Sequence, residues 1–122
     1  MTHKGLPCLN AGIYAYFAAE TDISALERDM QKGTTFRMIE NEIEATIIEV
    51  TDCYDCDINA VLTKLFSQCN LNLMENVVHL YGCKIHIGLW YYSGETGPAL
   101  IFEGENMSII HRLNADLSID AY

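Results

Sequence analysis

The segment that decides the fold is KIHIGLWYY, residues 84–92 of a chain of 122 residues. Its side chains alternate between an aliphatic set and a set that mixes histidine, glycine and aromatic rings. A period of two is typical of a β-strand, whose successive side chains point to opposite faces of the sheet. One face of the predicted strand carries Ile85, Ile87, Leu89 and Tyr91, and the other carries His86, Gly88, Trp90 and Tyr92.

The chain after this strand predicts a turn, a hairpin strand, a helix and an extended end. Residues 93–98 are rich in turn formers, and residues 99–102 are the predicted hairpin partner. Glu105 and Asn106 begin the last predicted helix. The side chains of this helix expected to face inward are Met107, Ile110 and Leu113. Alternation then predicts a final edge strand, which contains Leu117 and Ile119.

The clearest helical pattern lies before residue 84 and is capped by Asp57. Its apolar side chains recur on one stripe, as in a helix that packs on a sheet. They are Ile58, Val61, Leu62, Leu65, Phe66 and Cys69. A second helical segment is predicted from Leu71 to Tyr81 and is stopped by Gly82.

The first half of the chain predicts three strands and one short helix. Residues 13–19 are apolar and aromatic on both faces, which indicates a central strand buried on both sides. Thr21 and Asp22 offer a cap for a helix that ends at Gly33. The predicted inward-facing side chains of that helix are Ile23, Leu26 and Met30. Two further strands are predicted, at residues 34–39 and 43–51.

These elements predict one globular domain, residues 1–122, of the α+β class. We expect a two-layer sandwich in which a mostly antiparallel sheet carries helices largely on one face, with a ferredoxin-like topology. No apolar run approaches the roughly 18 residues of a membrane span, and no signal peptide precedes residue 8. We therefore expect a cytoplasmic protein that does not bind membranes.

The charge balance is strongly acidic, with 17 acidic residues against 7 basic ones and a net charge of −10. The basic residues are scattered, so no cluster is available to neutralise phosphates and nucleic acid is not an expected partner. A negative field favours a basic protein partner. An excess of acidic residues also serves solubility alone, and the sequence leaves that alternative open.

The cysteine count is odd, with 5 in the chain, which favours free thiols over a disulfide framework. Cys53 and Cys56 have C-x-x-C spacing, but the carboxylates of Asp52, Asp55 and Asp57 surround them. Because nearby negative charge disfavours a thiolate, redox catalysis is not expected. Cys53 and Cys56 remain the candidate ligands for zinc, although no second ligand pair has the usual spacing. The alternative is that most of the cysteines are small core residues.

The candidate binding residues lie on the strand at 84–92 and at the chain end. Trp90 and Tyr92 are candidates for an exposed binding face, or else belong to the core. Asp120 and Tyr122 are candidates for a terminal recognition element, or else a backbone-bonding carboxylate and a packing ring. An enzyme or small-molecule-binding domain, with a pocket between sheet and helices near Trp90, Tyr92 and His86, is the further alternative. The sequence contains no P-loop, dinucleotide fingerprint, nucleophile elbow or H-E-x-x-H motif, and no catalytic residue is predicted.

The final segment resembles the end of the bacterial domain of unknown function 4279 (DUF4279). The resemblance rests on a strand led by Gly97 and Pro98, an acidic capped helix, and a closing element of the x-I-D-x-Y type at residues 118–122. The opening strand, a Lys32-Gly33 pair after the first helix and a long middle helix are similar in order and spacing. This resemblance implies no catalytic residue and no cofactor. Together with the acidic charge, we expect a non-enzymatic binding protein, such as an immunity protein that holds a basic toxin.

Overall fold

The computed structural model describes residues 8–53, 57–92 and 102–121, and for residues 52, 53, 92 and 121 it describes the backbone alone. The strands are β1 (Cys8–Ala18), β2 (Thr35–Ile39), β3 (Glu42–Cys53), β4 (Lys84–Tyr92) and β5 (Asp116–Ala121). The helices are α1 (Ile23–Asp29), α2 (Ile58–Ser67), α3 (Leu71–Tyr81) and α4 (Gly104–Arg112).

The strands form one sheet in the order β2-β3-β1-β4-β5. The pairs β2·β3, β3·β1 and β1·β4 are antiparallel, and β5 joins β4 in parallel. The order and directions of β1 to β4 are those of the ferredoxin-like arrangement, to which β5 adds an edge strand. The predicted α+β sandwich with a mostly antiparallel sheet is confirmed.

The ends of α2 and α3 follow from local side-chain and backbone chemistry. The Asp57 carboxylate accepts a hydrogen bond from the N–H of Asn59 at 2.9 Å, which caps the start of α2. Asn70 caps α3 in the same way through the N–H of Leu73. Gly82 ends α3 at φ 64°, a left-handed conformation that glycine adopts without a steric penalty.

The core lies between one face of the sheet and the helices. Alternate residues of β1 and β4 are almost fully buried on this face, while helix α2 packs on β1 and β3. The β1 residues are Leu9, Ala11, Ile13, Ala15 and Phe17, and the β4 residues are Ile85, Ile87, Leu89 and Tyr91. The two faces predicted for residues 84–92 are therefore confirmed wherever the structure describes the side chains.

An irregularity in β3 decides which of its side chains face the core. Ile13 of β1 pairs with Ile48, but the next residue, Tyr14, pairs with Thr46, so Ile47 is an extra residue in the ladder. Such a β-bulge shifts the alternation of side chains by one residue. It allows Ile47 and Val50 to be buried, at 4% exposure each, while Glu49 points to the opposite face.

Three expectations from the sequence are wrong in detail. Residues 13–19 were expected to be buried on both faces, yet β1 begins at Cys8 and its second face holds half-buried tyrosines. Helix α1 ends at Asp29 instead of Gly33, because the backbone of Met30 turns extended and carries that side chain into the core. Ile23 of α1, expected to face inward, is 40% exposed.

The inward face of α4 also differs from the expected one. Met107 is 48% exposed, and Asn106 is buried at 3% exposure in its place. The Asn106 amide donates to the carbonyl and side-chain oxygens of Asn59, each at 3.3 Å. Because these hydrogen bonds satisfy its polar atoms, Asn106 can be buried. It takes the inward position that the apolar periodicity predicts for Met107. Leu113 is buried as expected, and the predicted edge strand is β5.

The predicted hairpin partner at residues 99–102 falls mostly outside the described residues, and Phe102 leads directly into α4. None of the described helices has both the length and the apolar character that a bilayer span requires.

Candidate functional site

The face of the sheet opposite the helices, which we call the open face, carries a groove of about 250 Å³. It crosses all five strands, since each strand of the sheet contributes at least one side chain. The lining residues are Tyr14, Tyr16, Arg37, Glu44, His86, Trp90, Ser118 and Asp120. The groove therefore combines aromatic rings with ionisable and hydroxyl groups.

A pair of glycines makes room for the aromatic floor of the groove. Gly12 of β1 pairs with Gly88 of β4, so this part of the open face has no side chains of its own. The Tyr14 ring leans over Gly12, where an added Cβ would lie 2.3 Å from the phenolic oxygen. The Trp90 ring leans over Gly88, where an added Cβ would lie 2.8 Å from the ring. Glycine at both positions thus allows the two rings to lie close to the sheet.

The two rings meet above the glycine pair. Their centroids are 6.0 Å apart and their planes are inclined by 84°, so the edge of one ring meets the face of the other. This is a favourable geometry for aromatic pairs, since the positive ring edge contacts the negative ring face. In such a pair, the ring that presents its edge keeps both of its own faces uncovered by its partner.

A buried carboxylate organises one end of the groove. Glu44 is 8% exposed and accepts hydrogen bonds from Arg37 Nε at 2.8 Å and from the Tyr16 hydroxyl at 3.0 Å. The arginine side chain itself is 70% exposed, so the pair is open to solvent on one side. Burial, followed by the hydrogen bond to Glu44 and its negative charge, raises the pKa of Tyr16.

A second carboxylate lies beside Tyr14, one of the lining residues of the groove. The Tyr14 hydroxyl donates to the Glu49 carboxylate at 3.3 Å. Burial and then the charge of Glu49 raise the pKa of Tyr14 well above its usual range. Tyr14 is therefore a neutral hydrogen-bond donor held beside a carboxylate.

The remaining side of the groove is formed by β4 and β5. His86 Nε2 lies 2.9 Å from Ser118 Oγ, within hydrogen-bond distance. That distance suits a base and a nucleophile, but within the described residues no carboxylate bonds the other ring nitrogen to orient it. Asp120 pairs with Trp90 across the two strands, which places a carboxylate beside the indole. This side therefore supplies polar binding groups and no complete catalytic arrangement.

The structure brings together three of the residues singled out from the sequence, His86, Trp90 and Asp120. For Tyr92 and Cys53 only the backbone is described, at the ends of β4 and β3, while Tyr122 and Cys56 lie outside the described residues. The zinc hypothesis for Cys53 and Cys56 therefore stays a prediction. In the described part of the chain, no group of three histidines, cysteines or acidic residues is placed to hold a metal ion.

The position of the expected pocket needs a correction. It was expected between sheet and helices, but His86 and Trp90 lie on the open face, because the other register of β4 occupies the core. A separate cavity of about 240 Å³ does lie among the helices, lined by residues that include Phe66 of α2 and Ile109 of α4. It contains neither His86 nor Trp90.

Sequence reasoning missed most of the groove. Tyr14 and Tyr16 alternate with the core residues of β1, and that alternation was a signal that they share a face. Arg37 and Glu44 carry no such signal, because their meeting depends on the register between β2 and β3. Ser118 depends in the same way on the parallel pairing of β5 with β4.

Comparison of the chain with protein-family models, with curated proteins and with solved structures finds no match. The function therefore has to be argued from the geometry of the open face.

Proposed function

We propose that this chain is a non-enzymatic binding protein whose open face binds a basic protein, as an immunity protein holds a basic toxin. The observation that carries the proposal is the charge of the open face. Arg37 pairs with Glu44, and Lys84 pairs with Asp116 at 3.0 Å, so these two cations of the described open face are compensated. Among the described residues, no ion pair reaches Glu49 or Asp120, and their negative charges face outward.

The whole chain supports the same proposal. Its net charge of −10 attracts a basic partner over long range and raises the rate of encounter. The same charge repels phosphates, so nucleic acid is not a proposed partner. Aromatic side chains such as Trp90 and Tyr14 are frequent anchors of protein interfaces, because they bury a large area with few rotatable bonds.

We further propose that the protein acts in the cytoplasm and belongs to the DUF4279 family. The support for the family is the closing x-I-D-x-Y element at residues 118–122, of which Asp120 lies in the groove. Neither part of this proposal assigns a catalytic residue.

The test is a quantitative binding measurement with a basic protein encoded beside this one in its genome. We expect co-purification of the two chains after co-expression, and nanomolar to micromolar affinity by calorimetry. The double variant Glu49→Lys/Asp120→Lys should weaken binding by about tenfold or more, since it places two cations on the open face. Failure of every neighbouring basic protein to bind would remove the proposal.

The matched control is Glu20→Lys/Glu27→Lys, whose exposed carboxylates lie in the turn after β1 and on α1. Both double variants have the same net charge, so the long-range attraction is equally reduced in each. Binding that weakens equally in both variants would show a general charge effect and contradict a site on the open face. Circular dichroism of each variant checks that the fold is intact.

A further inference from the structure

We infer that the groove of the open face is a site for a single organic cation, namely one arginine or lysine side chain of the partner. The inference rests on the proposed function and names the chemical group that the site takes. Three observations at one place on the sheet support it: two half-buried aromatic rings, carboxylates without an ion pair among the described residues, and a small groove volume.

The aromatic part of the site comes from Tyr14 and Trp90. Their centroids lie 6.0 Å apart, each ring lies close to the sheet over a glycine, and both side chains are only half-buried. A cation within about 6 Å of an aromatic face is attracted by the negative charge of the ring quadrupole, most strongly for tryptophan. Two rings with steep mutual inclination can approach one cation from two sides.

The carboxylates lie next to these same rings. Asp120 is the cross-strand neighbour of Trp90, and Glu49 accepts the hydrogen bond of the Tyr14 hydroxyl. Because neither has an ion pair within the described residues, a cation above the rings would compensate their charge. Guanidinium suits this setting well, since it stacks on an aromatic face and donates to a carboxylate at the same time.

The size of the groove limits what can enter. About 250 Å³ is below the range of about 300–1,000 Å³ of pockets that hold drug-sized ligands. One extended side chain suits this volume better than a larger organic molecule. The open face already binds one guanidinium group, because Arg37 donates to Glu44 at 2.8 Å at the other end of the groove.

Trp90 makes the inference directly testable, since it is the only tryptophan of the chain and its fluorescence reports on the groove alone. The probes are the N-acetylated amides of arginine, lysine and norleucine, titrated at constant ionic strength. Norleucine matches lysine without the ammonium group, and therefore separates charge from apolar contact. We expect a saturable change in Trp90 emission with the arginine and lysine probes and none with norleucine.

Two variants and a control locate the binding. Tyr14→Leu removes an aromatic face and Asp120→Asn removes a charge, and each should weaken binding of the arginine probe by about fivefold or more, as expected for the loss of a cation–π or charge contact. The control Glu27→Gln removes an equal charge from exposed helix α1 and should leave the titration unchanged. A stronger response to arginine than to lysine identifies guanidinium as the preferred group.

Three results would overturn the inference: no saturable response to either cation, an equal response to norleucine, or an equal loss of affinity in Glu27→Gln. The proposed function fails separately. If the arginine probe binds but no basic protein does, the cation site stands and the partner proposal falls. If a basic protein binds with the same affinity to Asp120→Asn and Tyr14→Leu, while the probes give no response, the cation site is wrong and the partner proposal stands.

Discussion

The two faces of the sheet are built from the same strands and have opposite character. Ile13 and Tyr14 are neighbours in β1, yet Ile13 is fully buried under the helices and Tyr14 lies in the groove of the open face. On the helix side the side chains of the sheet are almost all aliphatic, and those that line the groove on the open side are aromatic, ionisable or hydroxyl-bearing. The helix side thus stabilises the fold, and the open face is available for binding.

Polar contacts have different roles on the two faces of the sheet. The buried Asn59 and Asn106 join α2 to α4, where a polar group without a partner costs about 1–3 kcal/mol. On the open face, the Arg37–Glu44 pair is partly in water, where an ion pair contributes little to stability. Substitutions on the helix side should therefore change the free energy of unfolding, and those on the open side should change binding.

The largest expected effect is that of Leu65→Asp on the helix side. Leu65 of α2 has no exposed surface, and an unpaired buried charge costs several kcal/mol, a large part of a total stability of about 5–15 kcal/mol. We expect loss of the cooperative thermal transition by circular dichroism. The control Leu80→Asp, at a site 64% exposed on α3, should change stability by less than about 0.5 kcal/mol. A folded Leu65→Asp protein with the melting temperature of the wild type would contradict the assignment of the core.

The second largest effect is expected at alkaline pH, which should lower the free energy of unfolding through one group on each face of the sheet. Burial raises the pKa of the Cys69 thiol from 9.0 to about 11 on the helix side. Burial and Glu44 raise the pKa of Tyr16 above 10.0 on the open side. Both neutral forms are favoured by folding, so the stability they contribute is fully present below the pKa of the unfolded side chain. It is lost as the pH rises through the pKa of the folded protein.

Urea unfolding at a series of pH values measures this loss. We expect the free energy of unfolding to fall above pH 9, with the Cys69 share reaching about 2–3 kcal/mol. In Cys69→Ala the fall between pH 9 and 11 should be shallower. Tyr16→Phe loses the hydrogen bond to Glu44 at every pH, so its pH slope is the quantity to compare. That slope should be shallower than in wild type only at the alkaline end, and by less than in Cys69→Ala, because the Tyr16 hydroxyl is partly exposed. The same slope in wild type and Cys69→Ala over this range would contradict the role of the thiol.

The smallest effect on stability is expected for Gly88→Ala on the open face. The added Cβ would lie 2.8 Å from the Trp90 ring, so the ring must move, but it is half-buried and can do so at low cost. We expect a changed Trp90 emission spectrum with a stability change within about 1 kcal/mol. Gly104→Ala is the control, since a Cβ there meets nothing within 4 Å. An unchanged Trp90 spectrum in Gly88→Ala would show that glycine does not position the ring.

The sequence predicts the helix side of this molecule well and the open side poorly. The bounds of β4 and α3 and the Asp57 cap of α2 follow from periodicity and local chemistry, and the structure confirms them. The groove follows from pairing between distant strands, which a single sequence does not display. The proposed family, partner and zinc site stay predictions, because no comparison and no described side chain tests them.

Which strand residues can be buried follows from local sequence, since alternation and apolar spacing depend only on neighbours along the chain. Tertiary structure alone decided where the bulge at Ile47 turns Glu49 outward, and that β5 lies parallel to β4 with Asp120 beside Trp90. Both depend on register, which is the sum of many weak contacts between segments far apart in sequence. The character of KIHIGLWYY as a two-faced strand is thus local, but the site on its open face exists only in the assembled sheet.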